Sequence, residues 1–334
     1  MMTREKHLEN FTTLGIELAE NYLPEEIIHQ AKAKNGWFTE KSIAESVEGI
    51  RYYLEDRNLR QWMDNYPAHA INSKLVGVIM AGNIPLVGFH DLMSVLISGH
   101  KINIKMSSLD EVLIAHLVQR LVDIDHEYED LIYFDRSFKE VDALIATGSN
   151  NSARYFKYYF KHIPALIRKN RSSLAILKGD ETPEKLFLLG KDILSYYGLG
   201  CRNVSQMYIP LGYELNQFFE AVYPYHDIID HHKYANNYQY YHTIYLLNKV
   251  KFLENGFLMV KEDSNIYSPV SVLNFSYYDS ILQLQGTINS KSEEIQCIVG
   301  EMDPMCNVAF GASQKPAPWD YADQVDTMNF LLKI

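Results

Sequence analysis

Residues 75–105 have the sequence LVGVIMAGNIPLVGFHDLMSVLISGHKINIK, and this stretch decides the fold class. It opens with an almost continuous apolar run, which is typical of a strand buried on both faces of a parallel sheet. A turn at Gly82 and Asn83 follows, and an amphipathic segment that ends at Gly99 then predicts a helix with Asn83 as its cap. Pro85 suits the first turn of that helix, and KINIK predicts the next strand. The stretch therefore predicts a βαβ unit.

The same alternation extends along the chain in both directions. Upstream, LPEEIIHQAKA and residues 42–60 have apolar residues at helical spacing. Downstream, Ser108 and Glu111 have the spacing of a capping box that opens a helix, and LIYF and ALIAT predict short strands. TGSNNSARYFKYYF then predicts a strand end, a turn and a helix. Alternating strands and helices of this kind indicate an α/β fold with a doubly wound parallel sheet.

The pattern restarts at residue 172, which predicts a second domain. SLAILKG predicts a strand, EKLFLLGKDILSYY a helix, and MYIP a further strand. We therefore divide the chain into a helical lead-in at 1–73, a nucleotide-binding domain at 74–171, a second α/β domain at 172–312 and a C-terminal segment at 313–334. The last segment is expected to pack back onto the protein or to lie at a subunit contact.

Composition excludes several classes of protein. The net charge of −11 disfavours nucleic acid as a partner, because most of the surface would repel a polyanion. The three cysteines are widely spaced and odd in number, which argues against a disulfide framework and a zinc site. No apolar run is long enough to span a membrane, and the charged start MMTREKHLENF does not resemble a signal peptide. We therefore expect a cytoplasmic globular protein without a membrane span.

Cys201 is the residue best suited to chemistry. It lies in YYGLGCRNVS, where Gly198 and Gly200 allow a tight turn that leaves the thiol uncrowded. We expect it at the start of a helix, where the helix dipole and the neighbouring Arg202 would lower the thiol pKa. A structural cysteine buried after a glycine turn is an alternative that stays open at this point.

Polar residues at the predicted carboxyl ends of the first sheet form a second group of candidates. The side-chain amide of Asn83 could hold an oxyanion, although a simple helix cap would also explain it. Lys105 offers a charge for a ribose or a phosphate. Thr147, Gly148 and Ser149 form a turn before a predicted helix, where backbone amides can receive a phosphate. Each signal is weak alone, since no GxGxxG motif occurs in the chain.

Three histidines, His226, His231 and His232, lie close in sequence to two aspartates and suggest a metal site. No ligand frame such as HExxH surrounds them, so an amphipathic wall or a subunit contact is the favoured interpretation, and we predict no metal. Cys297 and Cys306 flank a GEMDP turn and are interpreted as packing residues.

As an ordered set, these segments resemble the aldehyde dehydrogenase superfamily, and within it the acyl-CoA reductase branch, the LuxC-like fatty-acid reductases. Residues 76–108 resemble the family's strand, asparagine turn, helix and lysine-bearing strand. TGSNNSARYF resembles the turn that lies against the cofactor, and GLGCRNVSQMYIP resembles the nucleophile segment. SPVSVLNF and VAFGASQKPAPWDYADQVDTMNFL complete the series, so that the resemblance spans residues 74–330.

The resemblance implies roles for the candidate residues. Cys201 would be the nucleophile and Asn83 the oxyanion donor, while a nicotinamide cofactor would be bound by Lys105, Ser108, Thr147, Gly148 and Ser149. Ser108 replaces a glutamate that binds the adenosine ribose in NAD-preferring members. This replacement favours NADPH over NADH, because a 2′-phosphate would meet no carboxylate there. The family's glutamate before Phe-Gly-Pro, which holds the nicotinamide ribose, is replaced by Asn265.

A further departure concerns the general base. Hydrolytic aldehyde dehydrogenases carry a glutamate before the cysteine, whereas the corresponding segment here, IRKNRSSLAIL, contains no carboxylate. Thioester exchange needs no such base. The resemblance therefore implies a homo-oligomeric reductase that forms an aldehyde from a fatty acyl thioester, with NADPH as hydride donor and coenzyme A or an acyl-carrier protein as thiol carrier. The alternatives are an aldehyde dehydrogenase in the acylating or hydrolytic direction, and a non-catalytic protein that binds acyl groups or nucleotides.

Overall fold

The computed structural model describes residues 2–67 and 72–334. The chain forms two compact units, of which the first comprises Met1–Asn170 and Pro316–Ile334 and the second comprises Arg171–Lys315. Each unit contains helices and a sheet whose strands are all or mostly parallel, which confirms the predicted α/β class. None of the helices in the two described ranges is both long and apolar enough to cross a bilayer.

The first unit contains the lead-in helices and the first sheet, with elements numbered here in chain order. Its helices are α1 (Arg4–Glu20), α2 (Glu25–Lys34), α3 (Glu40–Tyr53), α4 (Asp56–Met63), α5 (Phe89–Ile97), α6 (Glu111–Ile124), α7 (Asn150–Tyr159) and α12 (Thr327–Leu331). Its strands are β1 (Leu75–Ile79), β2 (Lys101–Lys105), β3 (Ile132–Phe134), β4 (Ala143–Thr147) and β5 (Ala165–Arg168).

These strands form one parallel sheet in the order β3-β2-β1-β4-β5. The chain reverses direction across the sheet at β1, which has β2 on one side and β4 on the other. Ligands of doubly wound sheets bind at the carboxyl ends of the strands beside such a reversal. Ile79, the last residue of β1, lies opposite Lys105 in β2 and Ala146 in β4. The loop after β1 and the turn after β4 therefore begin at the same edge of the sheet.

The lead-in helices share the core of this sheet. Phe11 of α1 and Trp62 of α4 belong to one buried cluster with Phe89 of α5 and Ile104 of β2. Burying a large apolar side chain contributes about 1.5–3 kcal/mol, so several such contacts make the lead-in an integral layer of the first unit.

The second unit contains α8 (Pro183–Leu194), α9 (Leu215–Val222), α10 (His232–Leu247) and α11 (Ile281–Ser290). Its strands are β6 (Ser172–Ile176), β7 (Val204–Pro210), β8 (Leu253–Glu254), β9 (Met259–Glu262), β10 (Val272–Tyr278) and β11 (Ile295–Gly300). They form a sheet in the order β11-β6-β7-β10-β9-β8, in which β8 and β9 are antiparallel and the other neighbours are parallel.

Some predicted element ends were wrong. The helical stretch over residues 42–60 is interrupted at Glu55, whose extended backbone separates α3 from α4. The capping box of Ser108 does not form, since Asp110 is the N-cap residue of α6 and Ser107 accepts the nearby hydrogen bond from Leu109 N–H. Strand β5 was not predicted, because its four residues follow Pro164 in only a short apolar run.

Candidate active site

Cys201 lies in a turn of the second unit, between a helical turn at Ser195–Gly198 and β7. Its side chain is exposed, which excludes the alternative of a buried structural cysteine. The prediction that Cys201 begins a helix was wrong: β7 starts at Val204, which leaves room only for a turn. A helix dipole therefore does not act on the Cys201 thiol.

Asn203 holds this turn in place, and the sequence interpretation missed it. Its Oδ1 accepts a hydrogen bond from the backbone N–H of Gly200 at 2.8 Å. Its Nδ2 donates to three carbonyls at the end of α8, those of Asp192 at 3.1 Å, Ile193 at 3.3 Å and Ser195 at 2.8 Å. The side chain is 2% exposed and thus ties the end of α8 to the residue before Cys201. The position of this asparagine, between a glycine turn and an apolar strand, was the feature of the sequence that could have predicted its role.

Three consecutive residues before this turn have left-handed backbone angles. Tyr196 and Tyr197 have φ values of 51° and 60°, and Gly198 has 76°. A tyrosine in this region costs on the order of 1–3 kcal/mol and persists only where its surroundings hold it. The ring of Tyr197 lies 4.3 Å from that of His231 and 6.2 Å from that of Tyr234, measured between centroids. These aromatic contacts hold the strained segment in place.

The other two thiols differ from that of Cys201. Cys297 is 2% exposed, and its Sγ lies 3.0 Å from Ser173 Oγ, which itself donates to the carbonyl of Cys201 at 3.0 Å. Burial raises the pKa of the Cys297 thiol, and burial also raises the pKa of Cys306. Both groups therefore favour the protonated, weakly nucleophilic form.

Asn83 is exposed in a bend of the first unit, in the loop that connects β1 to α5. The prediction that it caps the next helix was wrong, because α5 begins at Phe89 with Gly88 as its N-cap residue. Leu86 lies between them at a φ of 58°, and a left-handed residue cannot continue into a right-handed helix. Pro85 likewise lies in the turn that precedes the helix. Helix capping therefore does not account for Asn83.

Asp110 binds the same loop from the start of α6. Its Oδ2 accepts a hydrogen bond from the backbone N–H of Leu86 at 2.7 Å. It is 4% exposed, and its Oδ1 has no hydrogen-bond partner among the described residues. Burial raises the pKa of Asp110 to about 8, and the hydrogen bond from Leu86 offsets only part of this effect. No local pattern distinguished Asp110 from an ordinary helix cap.

Lys105 ends β2 as predicted, and its Nζ lies 2.8 Å from Oδ1 of Asp135, which follows β3. Both side chains are more than half exposed, so the ion pair contributes little to stability. It does place a carboxylate beside the lysine. Ser108 is exposed in the turn before α6. Ser108 itself carries no carboxylate, but Asp135 brings one beside Lys105 from another strand.

Thr147, Gly148 and Ser149 lie where the sequence predicts, at the end of β4 and the start of α7. Ser149 caps α7, because its Oγ accepts a hydrogen bond from the backbone N–H of Ser152 at 3.2 Å. A Cβ at Gly148 would lie 2.9 Å from the Cβ of Ser152, so the close turn requires glycine. The turn begins at the same edge of the sheet as Lys105 and the Asn83 loop.

The segment IRKNRSSLAIL contains an arginine with a structural role. Arg168 is 5% exposed, and its Nη1 lies 2.5 Å from Oδ2 of Asp91 while its Nη2 donates to Thr327 Oγ1 at 2.9 Å. Asp91 is also buried and serves as the partner of this arginine. Neither residue therefore supplies an accessible general base.

The histidines that suggested a metal site take part in ring contacts. His226 stacks on Tyr223 at 5.1 Å, and His231 stacks on His232 at 5.2 Å, between ring centroids. Over the described ranges, no group of three or more His, Cys, Asp or Glu side chains is placed to hold a metal ion.

Comparisons with known proteins give a shared fold and one distant sequence relative. No family model matches the chain. A long-chain acyl-protein thioester reductase of Aliivibrio fischeri is 23% identical over 146 residues, which make up 39% of this chain and only 30% of that protein.

Solved structures of aldehyde dehydrogenases match most of the chain. The NAD+ complex of an aldehyde dehydrogenase from Bacillus cereus superposes with a TM-score of 0.65 at 13% identity, covering 91% of this chain and 73% of that one. A mutant of aldehyde dehydrogenase C from Pseudomonas syringae, in complex with NAD+ and octanal, gives 0.65 at 13% identity over 90% and 72%. Betaine aldehyde dehydrogenase of Staphylococcus aureus gives 0.66 at 12% identity over 90% and 72%. The chain therefore has an aldehyde-dehydrogenase-like fold.

Proposed function

We propose that the protein is an acyl thioester reductase that uses Cys201 as its nucleophile and a nicotinamide cofactor to form an aldehyde. The observation that carries the proposal is the contrast among the thiols: Cys201 is exposed, whereas burial raises the pKa of Cys297 and Cys306. A thiolate is the reactive species, so Cys201 is the favoured nucleophile. The aldehyde-dehydrogenase-like fold and the partial similarity to a thioester reductase support the reaction class.

In the proposed reaction, the Cys201 thiolate adds to the thioester carbonyl. The oxyanion accepts hydrogen bonds from the Cys201 backbone N–H and the Asn83 amide. Its collapse expels the carrier thiolate, that of coenzyme A or of an acyl-carrier protein, and leaves an acyl group on Cys201. A bound nicotinamide would supply the hydride that reduces this acyl group. The resulting thiohemiacetal loses its hydroxyl proton, releases the aldehyde and restores the Cys201 thiolate.

The edge of the first sheet supports the cofactor assignment. Lys105 can bind a ribose or a phosphate, and the turn from Thr147 to Ser149 presents the start of α7 at the same edge of the sheet, with β1 between the two strands. Asp135 would repel a 2′-phosphate, but its pairing with Lys105 balances that charge, and we retain NADPH as the proposed donor. Asp135→Asn should therefore tighten NADPH binding more than NADH binding in a fluorescence titration. Wild-type protein that prefers NADH would contradict the assignment.

The reaction is tested by mixing the protein with fatty acyl-CoA without NADPH. One equivalent of coenzyme A should be released rapidly and release should then stall, because neither Arg168 nor the buried Asp91 can activate water against the acyl-cysteine. NADPH, or an excess of another thiol, should restart it. Cys201→Ala should abolish the burst, while Cys297→Ala and Cys306→Ala should retain it. Steady release of free fatty acid would instead favour a hydrolytic enzyme.

A non-catalytic binding protein is the second candidate, and two contacts favour it. The Oδ1 of Asn265, where the family has a ribose-binding glutamate, accepts a hydrogen bond from the backbone N–H of Tyr267 at 3.1 Å. The Nζ of Lys105, which would bind the cofactor, likewise forms an ion pair with Asp135. A protein that binds acyl-CoA but neither binds NADPH nor releases coenzyme A would fit this alternative.

A further inference from the structure

The Asn83 loop, residues 80–88, has a conformation that its own sequence does not favour. Leu86 has a φ of 58°, which is rare for a bulky residue and costs on the order of 1–3 kcal/mol. Gly82 lies so close to the next turn that a Cβ there would be 2.5 Å from Ser107 Oγ. Such a conformation persists only where surrounding groups determine it.

Three side chains from outside the loop bind its backbone. Asn35, between α2 and α3, donates from Nδ2 to the Gly82 carbonyl at 3.2 Å. Ser46, in α3, donates from Oγ to the Pro85 carbonyl at 2.6 Å. Asp110 accepts from the N–H of Leu86, as described above. The three bonds fall on both sides of Asn83, and two of them come from the lead-in.

The bond from Asn35 is itself well oriented. Asn35 is 2% exposed, and its Oδ1 accepts a hydrogen bond from the backbone N–H of Trp37 at 3.0 Å. This second bond fixes the side-chain amide, so that Nδ2 is turned towards the Gly82 carbonyl. The hold on the loop therefore depends on an ordered lead-in.

We infer that the lead-in is a positioning scaffold for Asn83, in which Asn35 and Ser46 act together with Asp110. Donors that stabilise an oxyanion are effective when their position is fixed before the reaction, and an error of about 1 Å can cost on the order of a hundredfold in rate. Fixing Gly82, Pro85 and Leu86 fixes the backbone that carries the Asn83 amide. The inference rests on the proposed function, because it assigns Asn83 the oxyanion.

The chain offers a matched pair of variants for the test. Ser46→Ala removes one hydrogen bond to the loop, whereas Ser42→Ala, one turn earlier in α3, removes the capping box of that helix, in which the Ser42 side chain bonds to Thr39. Both should lower stability slightly. Asn35→Asp added to Ser46→Ala removes a second hold, since it keeps the acceptor for Trp37 and loses the donor to Gly82.

Three quantities are measured on the full chain: amide exchange of the peptide covering 81–87, the rate of Cys201 acylation by fatty acyl-CoA, and the rate of Cys201 alkylation by iodoacetamide. Alkylation needs no oxyanion donor. Ser46→Ala should speed exchange and slow acylation about three- to tenfold, the effect of one hydrogen bond, with alkylation unchanged. The double variant should exchange faster still and be acylated more slowly than Ser46→Ala. Ser42→Ala should match the wild type in all three measurements.

The outcomes separate the inference from the function on which it rests. If the wild-type protein were alkylated but never acylated, both the proposed function and the positioning role that rests on it would be refuted. Acylation in the wild type, with exchange in Ser46→Ala and in the double variant equal to that in Ser42→Ala, would overturn the inference alone. Faster exchange with unchanged acylation would also overturn it, since the hold would then be structural only.

Discussion

The Asn83 loop contains a strained residue and the Cys201 turn follows a strained segment, but the loop and the turn are held in different ways. The Cys201 turn is bound mainly by a near neighbour, Asn203, which contacts residues three to eleven positions away, and Ser173 adds one bond to the Cys201 carbonyl from 28 positions away. The Asn83 loop is bound by Asn35, Ser46 and Asp110, which lie 24 to 47 positions from the residues they bind. One candidate site residue is thus positioned mainly by its local sequence and the other by tertiary structure.

This difference matters for mutation. Asn203 bonds to both the turn and the end of α8, so removing it should affect stability and reactivity together. Asn83 itself is exposed and is not the N-cap residue of α5, while other residues hold its loop. Its removal should therefore affect reactivity with little effect on stability.

Among the variants that test this comparison of the loop and the turn, Asn83→Ala should have the largest effect, which is on the rate of acylation. Loss of one oxyanion donor lowers a rate by about 10²–10³, and acylation of Cys201 should fall by this factor. Iodoacetamide alkylation should stay at the wild-type rate, and the free energy of unfolding should change by less than about 1 kcal/mol, the typical loss for a helix cap. Stopped-flow acylation and urea unfolding measure these quantities. A loss of stability without a loss of rate would return Asn83 to a structural role.

The same comparison explains what the sequence could predict. Strands β1 and β4 were predicted because continuous apolar runs signal buried parallel strands, and β2 was predicted from KINIK after the helix end at Gly99. Lys105 and Thr147 were correctly placed at the ends of β2 and β4. The turn at Cys201 was misassigned to a helix, although Asn203 was a local signal that could have corrected it. The holds from Asn35 and Ser46 had no such signal, because nothing in one segment indicates a partner about forty residues away.

Asn203→Ala should have the next largest effect, and it should lower both the rate of Cys201 acylation and the free energy of unfolding. It leaves the N–H of Gly200 and carbonyls at the end of α8 without their partner, which should lower the free energy of unfolding by about 2–3 kcal/mol. Acylation should also slow, because the backbone N–H of Cys201 is no longer fixed. Asn236→Ala, at an exposed position in α10, is the control and should stay within about 0.5 kcal/mol of the wild type. Unchanged stability in Asn203→Ala would show that the turn is not locally held.

The smallest effect per step of the experiment is the change with each pH unit in the stability that Asp110 contributes to the Asn83 loop. The pKa of Asp110 rises from its ordinary 3.8 to about 8 in the folded chain, so the folded state keeps a proton that the unfolded state loses. Its contribution to stability is therefore complete below pH 3.8 and is lost progressively as pH rises to about 8, by up to about 1.4 kcal/mol per pH unit. Urea unfolding of the wild type and Asp110→Asn between pH 5 and 9 isolates this contribution, because the neutral amide can still accept from Leu86 but does not titrate. The difference between the two proteins should change up to about pH 8 and then level off, whereas Asp180→Asn, at an exposed position, should run parallel to the wild type. If the unfolding free energy of Asp110→Asn also ran parallel to that of the wild type, Asp110 would be ionised throughout this pH range. The Asn83 loop would then be held by a carboxylate at every pH tested.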